Sequence, residues 1–342
     1  MDNQQICICG GGSLGHVVAG FIAATSKWKV NILTRRPNQW SHDLVIDDVN
    51  GNAFRGKLNI LSDDPRKAIE GSDIVLLCLP GFSIQEELEK IQKYVTEDIF
   101  VGSIVSSTGF FFFAHEIMPN QKVFGFQRVP FIARVKEYGK SANLLGYKSD
   151  LNLDIENCTD KESFRSTIES LFKTPTHLLN NYYEASLTNS NPLLHTSRLY
   201  GMLKDWKNGM TYDQQPYFYR DWRNEDSELL IKMDEEFMNL LSLLPVDKTK
   251  IPSILSYYES NDAASLTNKI RSITAFKNIL SPMIKENSKY KPDFNSRYFL
   301  EDFPYGLSII HRLCHEKGMH TPYIDQVFQW GISMVQQNQH PS

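Results

Sequence analysis

The stretch Gln5-Ile-Cys-Ile-Cys-Gly10-Gly-Gly-Ser-Leu-Gly15 decides the fold. A short apolar, strand-prone run is followed by glycines at 10, 12 and 15, and a helical pattern opens at Ser13. GxGxxG spacing has chemical meaning in this setting. The glycines allow a tight turn and close backbone approach, and the free N–H groups at the start of the helix face an anion. With a second strand at 29–34, the unit reads strand, turn, helix, strand, which binds a dinucleotide by its pyrophosphate.

The second strand ends in Thr34-Arg35-Arg36, where NAD-specific proteins usually carry an acid for the ribose 2'-hydroxyl. An arginine pair suits a 2'-phosphate through charge-assisted bonds, and the local sequence offers no carboxylate to repel one. NADP is therefore the expected cofactor and NAD the alternative. A solvated loop, or Arg35 stacked on adenine, is the plainer account of the same pair. Residues 44–46 and 54–60 flank the hairpin signal Asn50-Gly51. Asp64-Pro65 opens a short helix. Residues 74–79 have the continuous apolarity of a strand buried on both faces. They end at Leu79-Pro80-Gly81, on the sheet edge where open α/β folds place ligands, and Ser83-Ile-Gln-Glu86 reads as a capping box. The expected cofactor residues are Gly10, Gly12, Ser13, Leu14, Gly15, Thr34, Arg35, Arg36, Leu79 and Pro80. Phe110-Phe-Phe-Phe113 is expected to pack in a core or domain interface.

Beyond about residue 180 the β-prone runs stop. Helical periods take over at 184–207, 225–243, 263–279, 304–317 and 322–337. The expected architecture is an α/β Rossmann-type N-terminal domain with a mostly parallel sheet over 1–181, followed by an all-α C-terminal domain over 182–342. The 342 residues carry 36 Lys+Arg against 40 Asp+Glu, a net charge of −4, with no long basic run, so nucleic acid is not an expected partner. Five cysteines, three of them inside apolar strand-like runs, fit the reduced thiols of a cytoplasm better than a disulfide framework. The start lacks a signal-peptide pattern, and no apolar run approaches the ~18 residues that span a bilayer. A cytoplasmic protein with small-molecule partners is expected, free of membrane, with a homodimer left open.

Asn191-Pro-Leu-Leu-His195 stands at the head of a long helical period, Asn near the cap and Pro in the first turn. Taken alone, His195 can be a packed core residue, a metal ligand or a catalyst. His311 and His315 have the i, i+4 spacing of zinc sites, with Cys314 and His320 nearby, but the sequence shows no third ligand and no metal is expected. His115, His177 and His340 stand alone and carry no assignment. Arg297-Tyr-Phe-Leu-Glu301-Asp302-Phe-Pro-Tyr-Gly306 reads as a helix start with an acid as its cap.

Three stretches together resemble the opine dehydrogenase family, the octopine and nopaline dehydrogenases: 128–140, 191–195, and 297–307 with its Glu301-Asp302-Phe-Pro-Tyr-Gly306 core. Their order matches over nearly the full length. The resemblance implies a Rossmann domain followed by a helical domain, and reductive condensation of an amino acid or amine with an α-keto acid by NADH or NADPH. It places the catalytic histidine on His195, its partner aspartate on Asp302 and an arginine of the same network on Arg297. The chain departs from the family at Thr196, where His-Pro is common. The chemistry agrees with the assignment: a histidine gains and loses protons near neutrality, and a carboxylate fixes its tautomer. Asn191, Arg134 and Lys136 are candidate substrate contacts, the last two as cationic partners for substrate carboxylates. The rivals are a reductase of the 2-dehydropantoate or β-hydroxyacid type, which would call on a lysine such as Lys204 or Lys207, and an NADP(H)-binding sensor without turnover.

Overall fold

The computed structural model describes residues 4–339; Met1–Asn3 and His340–Ser342 lie outside them. The chain divides into two units between Ser186 and Leu187, five residues beyond the boundary expected from the change of texture.

The first unit holds twelve strands among its described residues: β1 Gln5–Cys9, β2 Lys29–Leu33, β3 Asp43–Asp48, β4 Ala53–Lys57, β5 Leu61–Ser62, β6 Ile74–Leu77, β7 Phe100–Ser103, β8 Val123–Phe126, β9 Phe131–Glu137, β10 Ser141–Tyr147, β11 Leu151–Glu156 and β12 Thr176–Leu178. Its helices are α1 Ser13–Thr25, α2 Pro65–Ile69, α3 Ile84–Ile91, α4 Phe110–Ile117, α5 Lys161–Phe172 and α6 Tyr182–Ser186. Eight strands form the main sheet in the order β12-β11-β8-β7-β6-β1-β2-β5. All its pairings are parallel except β8 with β11. The chain leaves β1 for β2 on one side and returns to β6 on the other, so the β1 carboxyl end lies where the strand order reverses. Open α/β sheets bind ligands at such a switch point.

The hairpin at Asn50-Gly51 is not a free insert. Its strands join β9 and β10 in a second, four-stranded sheet ordered β4-β3-β10-β9. α1 packs against both sheets, and for this reason it is buried almost all round from Gly15 to Ile22. A Cβ on Gly20 would stand 2.5 Å from Ile46 Cγ1, and one on Gly56 2.6 Å from the Gly20 carbonyl. The second sheet therefore lies directly on the helix backbone. Phe110, Phe111 and Phe112 are buried in α4, as core. The expected capping box at Ser83 does not form: a 3₁₀ turn over Gly81–Ser83 leaves Ser83 in a helical conformation, and its hydroxyl makes no cap bond.

The second unit is helical: α7 Asn191–Leu203, α8 Asn224–Leu241, α9 Ile254–Tyr257, α10 Ala263–Ser272, α11 Arg297–Leu300, α12 Ser308–Glu316 and α13 Pro322–Gln339. One hairpin, β13 Met283–Glu286 with β14 Lys289–Pro292, interrupts it. The expectation of an all-α domain missed this hairpin because its strands are short, lysine-rich and largely exposed. α7, α8 and α13 pack on one another around Leu199, Leu230, Met233 and Leu240. Among the described residues no helix is long and apolar enough to cross a membrane.

Candidate active site

In the first unit the glycine loop leaves β1 and enters α1. Gly10 has φ 122°, a backbone state that side-chain-bearing residues rarely adopt. A Cβ on Gly15 would run into the Gly10 carbonyl. Gly12, in contrast, has open space where its Cβ would be. It is the N-cap of α1, and no side chain bonds the first-turn N–H groups. A helix start left uncapped beside open space fits a pyrophosphate. Gly10, Gly12, Thr34, Arg35, Arg36, Leu79 and Pro80 line one crevice of ≈ 350 Å³, and Ser13, Leu14 and Gly15 form the helix turn above it.

The loop is braced from the second sheet. Ser13 Oγ accepts the Val135 N–H (3.2 Å). His16 is fully buried, with Nδ1 2.9 Å from the Gly12 carbonyl and Nε2 2.7 Å from the Gly139 nitrogen. A backbone N–H can only donate, so Nε2 is the acceptor and Nδ1 carries the proton that bonds Gly12. His16 is neutral here, and burial pushes its pKa below 6.5. Tyr138, from the same segment, reaches over Gly11 and carries the Arg36 guanidinium 4.9 Å above its ring. The family-like stretch 128–140 thus meets the crevice through Tyr138. Arg134 and Lys136 are exposed: Arg134 reaches the Ala133 carbonyl (3.4 Å), and Lys136 pairs with Asp47 (2.9 Å). β9 alternates its side chains, and these two lie on its outer face. The crevice also has carboxylates, which the local sequence around Arg35 did not show. Glu86 and Glu87 come from α3, and burial raises the Glu87 pKa.

In the second unit His195 sits one turn into α7. Its Nδ1 is 2.8 Å from Asp302 Oδ2 and its Nε2 2.8 Å from the Tyr219 hydroxyl. A carboxylate accepts, so Nδ1 carries the proton and Nε2 is left to take one from Tyr219. The histidine and aspartate side chains keep 12% and 17% exposure, whereas Tyr219 is buried, stacked on Phe276 at 4.1 Å. Burial pushes the Tyr219 pKa up, so its hydroxyl stays protonated. Phe218 and Tyr298 set their rings edge-on to the imidazole at 5.7 and 4.8 Å.

The pair is brought together by close backbone packing. Asp302 opens a π-helical turn over Phe303–Leu307, in which the Leu307 N–H bonds the Asp302 carbonyl (2.7 Å). Such turns are rare and often mark functional sites. Gly306 presses this turn onto α7: a Cβ there would stand 2.8 Å from the Pro192 ring. Pro192 and Gly306, which read as separate boundary signals in sequence, are the two halves of one contact. The Asp302 carboxylate makes no cap bond, contrary to the helix-start reading. The segment that carries Tyr219 is held from the same helix. Arg198, fully buried one turn after His195, ion-pairs with Asp226 and donates to the carbonyls of Phe218 (2.8 Å) and Asp221 (2.9 Å).

Two expected members stand apart from this arrangement. Arg297 is largely exposed and forks onto Glu301 (2.7 and 2.9 Å), so it acts on Asp302 only as a neighbouring charge. Its spacing from Glu301 is the i, i+4 of an ordinary helical ion pair. Asn191 contributes its backbone N–H to the Asn189 side chain (3.1 Å). Tyr219, Tyr138 and His16 carried no motif that sequence reasoning could have followed. Lys204 and Lys207, which a lysine-dependent reductase would need, are exposed near the end of α7.

A dinucleotide cradle on a doubly wound sheet, with a histidine–aspartate pair in a separate helical unit, places the molecule among the two-domain nicotinamide-dependent dehydrogenases. Residues 178–335 match the family described as NAD/NADP octopine/nopaline dehydrogenase, alpha-helical domain, and residues 6–126 match ketopantoate reductase PanE/ApbA. The opine dehydrogenase of Haliotis discus hannai is 26% identical over 95% of this chain and 88% of its own length. A solved structure of octopine dehydrogenase with NADH and L-arginine superposes with a TM-score of 0.85 at 23% identity, over 97% of this chain and 90% of that one. Yersinopine dehydrogenase with bound NADP+ gives 0.74 at 12% identity, covering 99% and 93%. Its second unit thus matches the helical domain of the octopine/nopaline dehydrogenases, and the chain is similar to opine dehydrogenases over nearly its full length.

Proposed function

We propose that this protein condenses the amino group of an amino acid or amine with an α-keto acid and reduces the resulting imine to a secondary amine, with His195 as acid/base. The observation that carries the reading is the Asp302–His195 pair, with Nδ1 committed to the carboxylate and Nε2 facing a hydroxyl that can be exchanged. NADPH or NADH, when bound, would supply the hydride that reduces the imine carbon. Gly10, Gly12 and the first turn of α1 would hold its pyrophosphate, and Arg35 and Arg36 would favour the 2'-phosphate of NADP. Yersinopine dehydrogenase binds NADP+ and octopine dehydrogenase NADH, so both forms occur among similar proteins.

Loss of water from the adduct of amine and ketone needs a proton delivered to the departing oxygen. His195 takes a proton on Nε2 from the substrate ammonium as it becomes the attacking amine and passes it to the departing oxygen, while Asp302 holds Nδ1–H and stabilises the intervening imidazolium. Both ring nitrogens are engaged within the protein, so the Tyr219 hydroxyl must release Nε2 before His195 meets substrate. All five cysteines are unpaired, in keeping with a cytoplasmic enzyme.

The test is oxidation of NADPH and NADH by the purified protein across keto acids crossed with amino acids and amines. Turnover that requires both partners is expected. Oxidation by a keto acid alone would transfer the protein to ketopantoate reductase-like chemistry, and binding without turnover would make it a sensor.

A further inference from the structure

The fold gathers a second group of ligating side chains that the proposed reaction does not use. His311 and His315 lie one turn apart on α12, and Asp325 in the first turn of α13 completes the group. Asp325 Oδ1 is 3.3 Å from His311 Nε2 and 3.0 Å from His315 Nε2, and the three ligand atoms all lie within 4.8 Å of one another. Zinc held tetrahedrally at ~2.0–2.1 Å separates neighbouring ligand atoms by about 3.3–3.4 Å. Both N···O separations are therefore close to those of a filled site.

Hydrogen bonding alone accounts for the cluster poorly. Asp325 Oδ1 also accepts from the Thr321 hydroxyl (3.0 Å), so without a cation one oxygen with two lone pairs would face three donors. If either imidazole instead turns a bare Nε2 to the carboxylate, lone pair meets lone pair. A cation between them removes the conflict: two neutral imidazoles give lone pairs, and the carboxylate gives charge. The outer contacts suit ligation. His311 is stacked on Phe328 (4.1 Å, 26°), which fixes its ring, and Thr321 orients Asp325.

The neighbouring groups are spoken for. Glu236 of α8 takes the N–H groups of Tyr323 and Ile324 (3.1 and 2.9 Å), with His320 nearby, and the Cys314 side chain is fully buried. The His315 ring is half exposed, so a fourth position opens to water.

We propose that His311, His315 and Asp325 bind a divalent metal ion of the zinc class, with water as fourth ligand, and so clasp α12 to the start of α13. α12 follows directly on the π-helical turn opened by Asp302, and the clasp steadies the far end of that segment.

The experiment titrates the full-length protein with ZnCl2 by calorimetry at about pH 7.5, after EDTA treatment and removal of the chelator. One equivalent should bind, and Co2+ in its place should show the intense visible bands of a four-coordinate site. His315→Ala, at a half-exposed ring, and Asp325→Asn should each weaken Zn2+ by about 100-fold or more. Failure of the folded wild-type protein to bind Zn2+, or equal affinity in wild type and both variants, would overturn the proposal.

Discussion

His16 and His195 each have both ring nitrogens engaged, and their partners separate a scaffold from a reactive group. His16 is sealed at 0% exposure between two backbone groups, the Gly12 carbonyl and the Gly139 N–H. Neither partner can take up or release a proton, so the imidazole is a fixed strut under the cofactor loop. His195 lies between two side chains, Asp302 and Tyr219, and keeps a partly exposed edge. A carboxylate can stabilise its charged form, and a hydroxyl can serve as donor to it or acceptor from it. The same residue type is thus inert in one unit and equipped for proton transfer in the other.

The contrast can be broken most decisively at His195. Replacement by alanine should lower kcat by about 10² to 10⁴, the usual worth of a positioned proton-transfer group. NADPH affinity, measured by fluorescence titration, should stay within about twofold, because the cradle is built elsewhere. Undiminished turnover would abolish the distinction between the two histidines.

His16→Gln probes the other side of the comparison with a smaller effect. Losing the strut should weaken NADPH binding about tenfold, the worth of one well-placed buried hydrogen bond, while kcat at saturating cofactor holds. The pH dependence has a defined sign. The folded-state pKa of His16 lies below its unfolded value of 6.5, so the unfolded chain takes up a proton first as pH falls. The contribution of His16 to stability is complete above pH 6.5 and drains away below it. Thermal melts between about pH 7.5 and 5 should show a steeper loss for wild type than for the glutamine variant.

Arg134→Ala and Lys136→Ala should have the least effect, below about twofold on KM for any substrate, since exposed ion pairs are worth ~0–1 kcal/mol. A large KM effect from either would assign β9 a substrate-facing role that its outward side chains do not suggest.

How legible each region was follows from how it is built. The cradle is contiguous: strand, glycine turn and helix occupy residues 5–25, and the steric demands on Gly10 and Gly15 act over a few residues. Such constraints are visible in a single sequence. The histidine pair spans 107 residues, and residues 191–195 and 297–306 each read locally as a helix start. Only the likeness to a family joined them. The residues that were missed share one property. Tyr219, Tyr138 and Arg198 act through partners on other elements, and Asp325 completes the His311–His315 group from the next helix. Arg134 and Lys136 sit in an informative stretch, and strand alternation puts them on the exposed face of β9 rather than in the crevice that Tyr138 reaches.

The sequence alone determined that this chain has a dinucleotide fold followed by a helical domain, because strand and helix periods and glycine sterics are short-range properties of the backbone. Tertiary structure decided which polar side chains meet. The Gly306–Pro192 contact sets Asp302 against His195, and Arg198 ties down the segment that carries Tyr219. Such meetings depend on how helices far apart in the chain pack, and no local pattern encodes that.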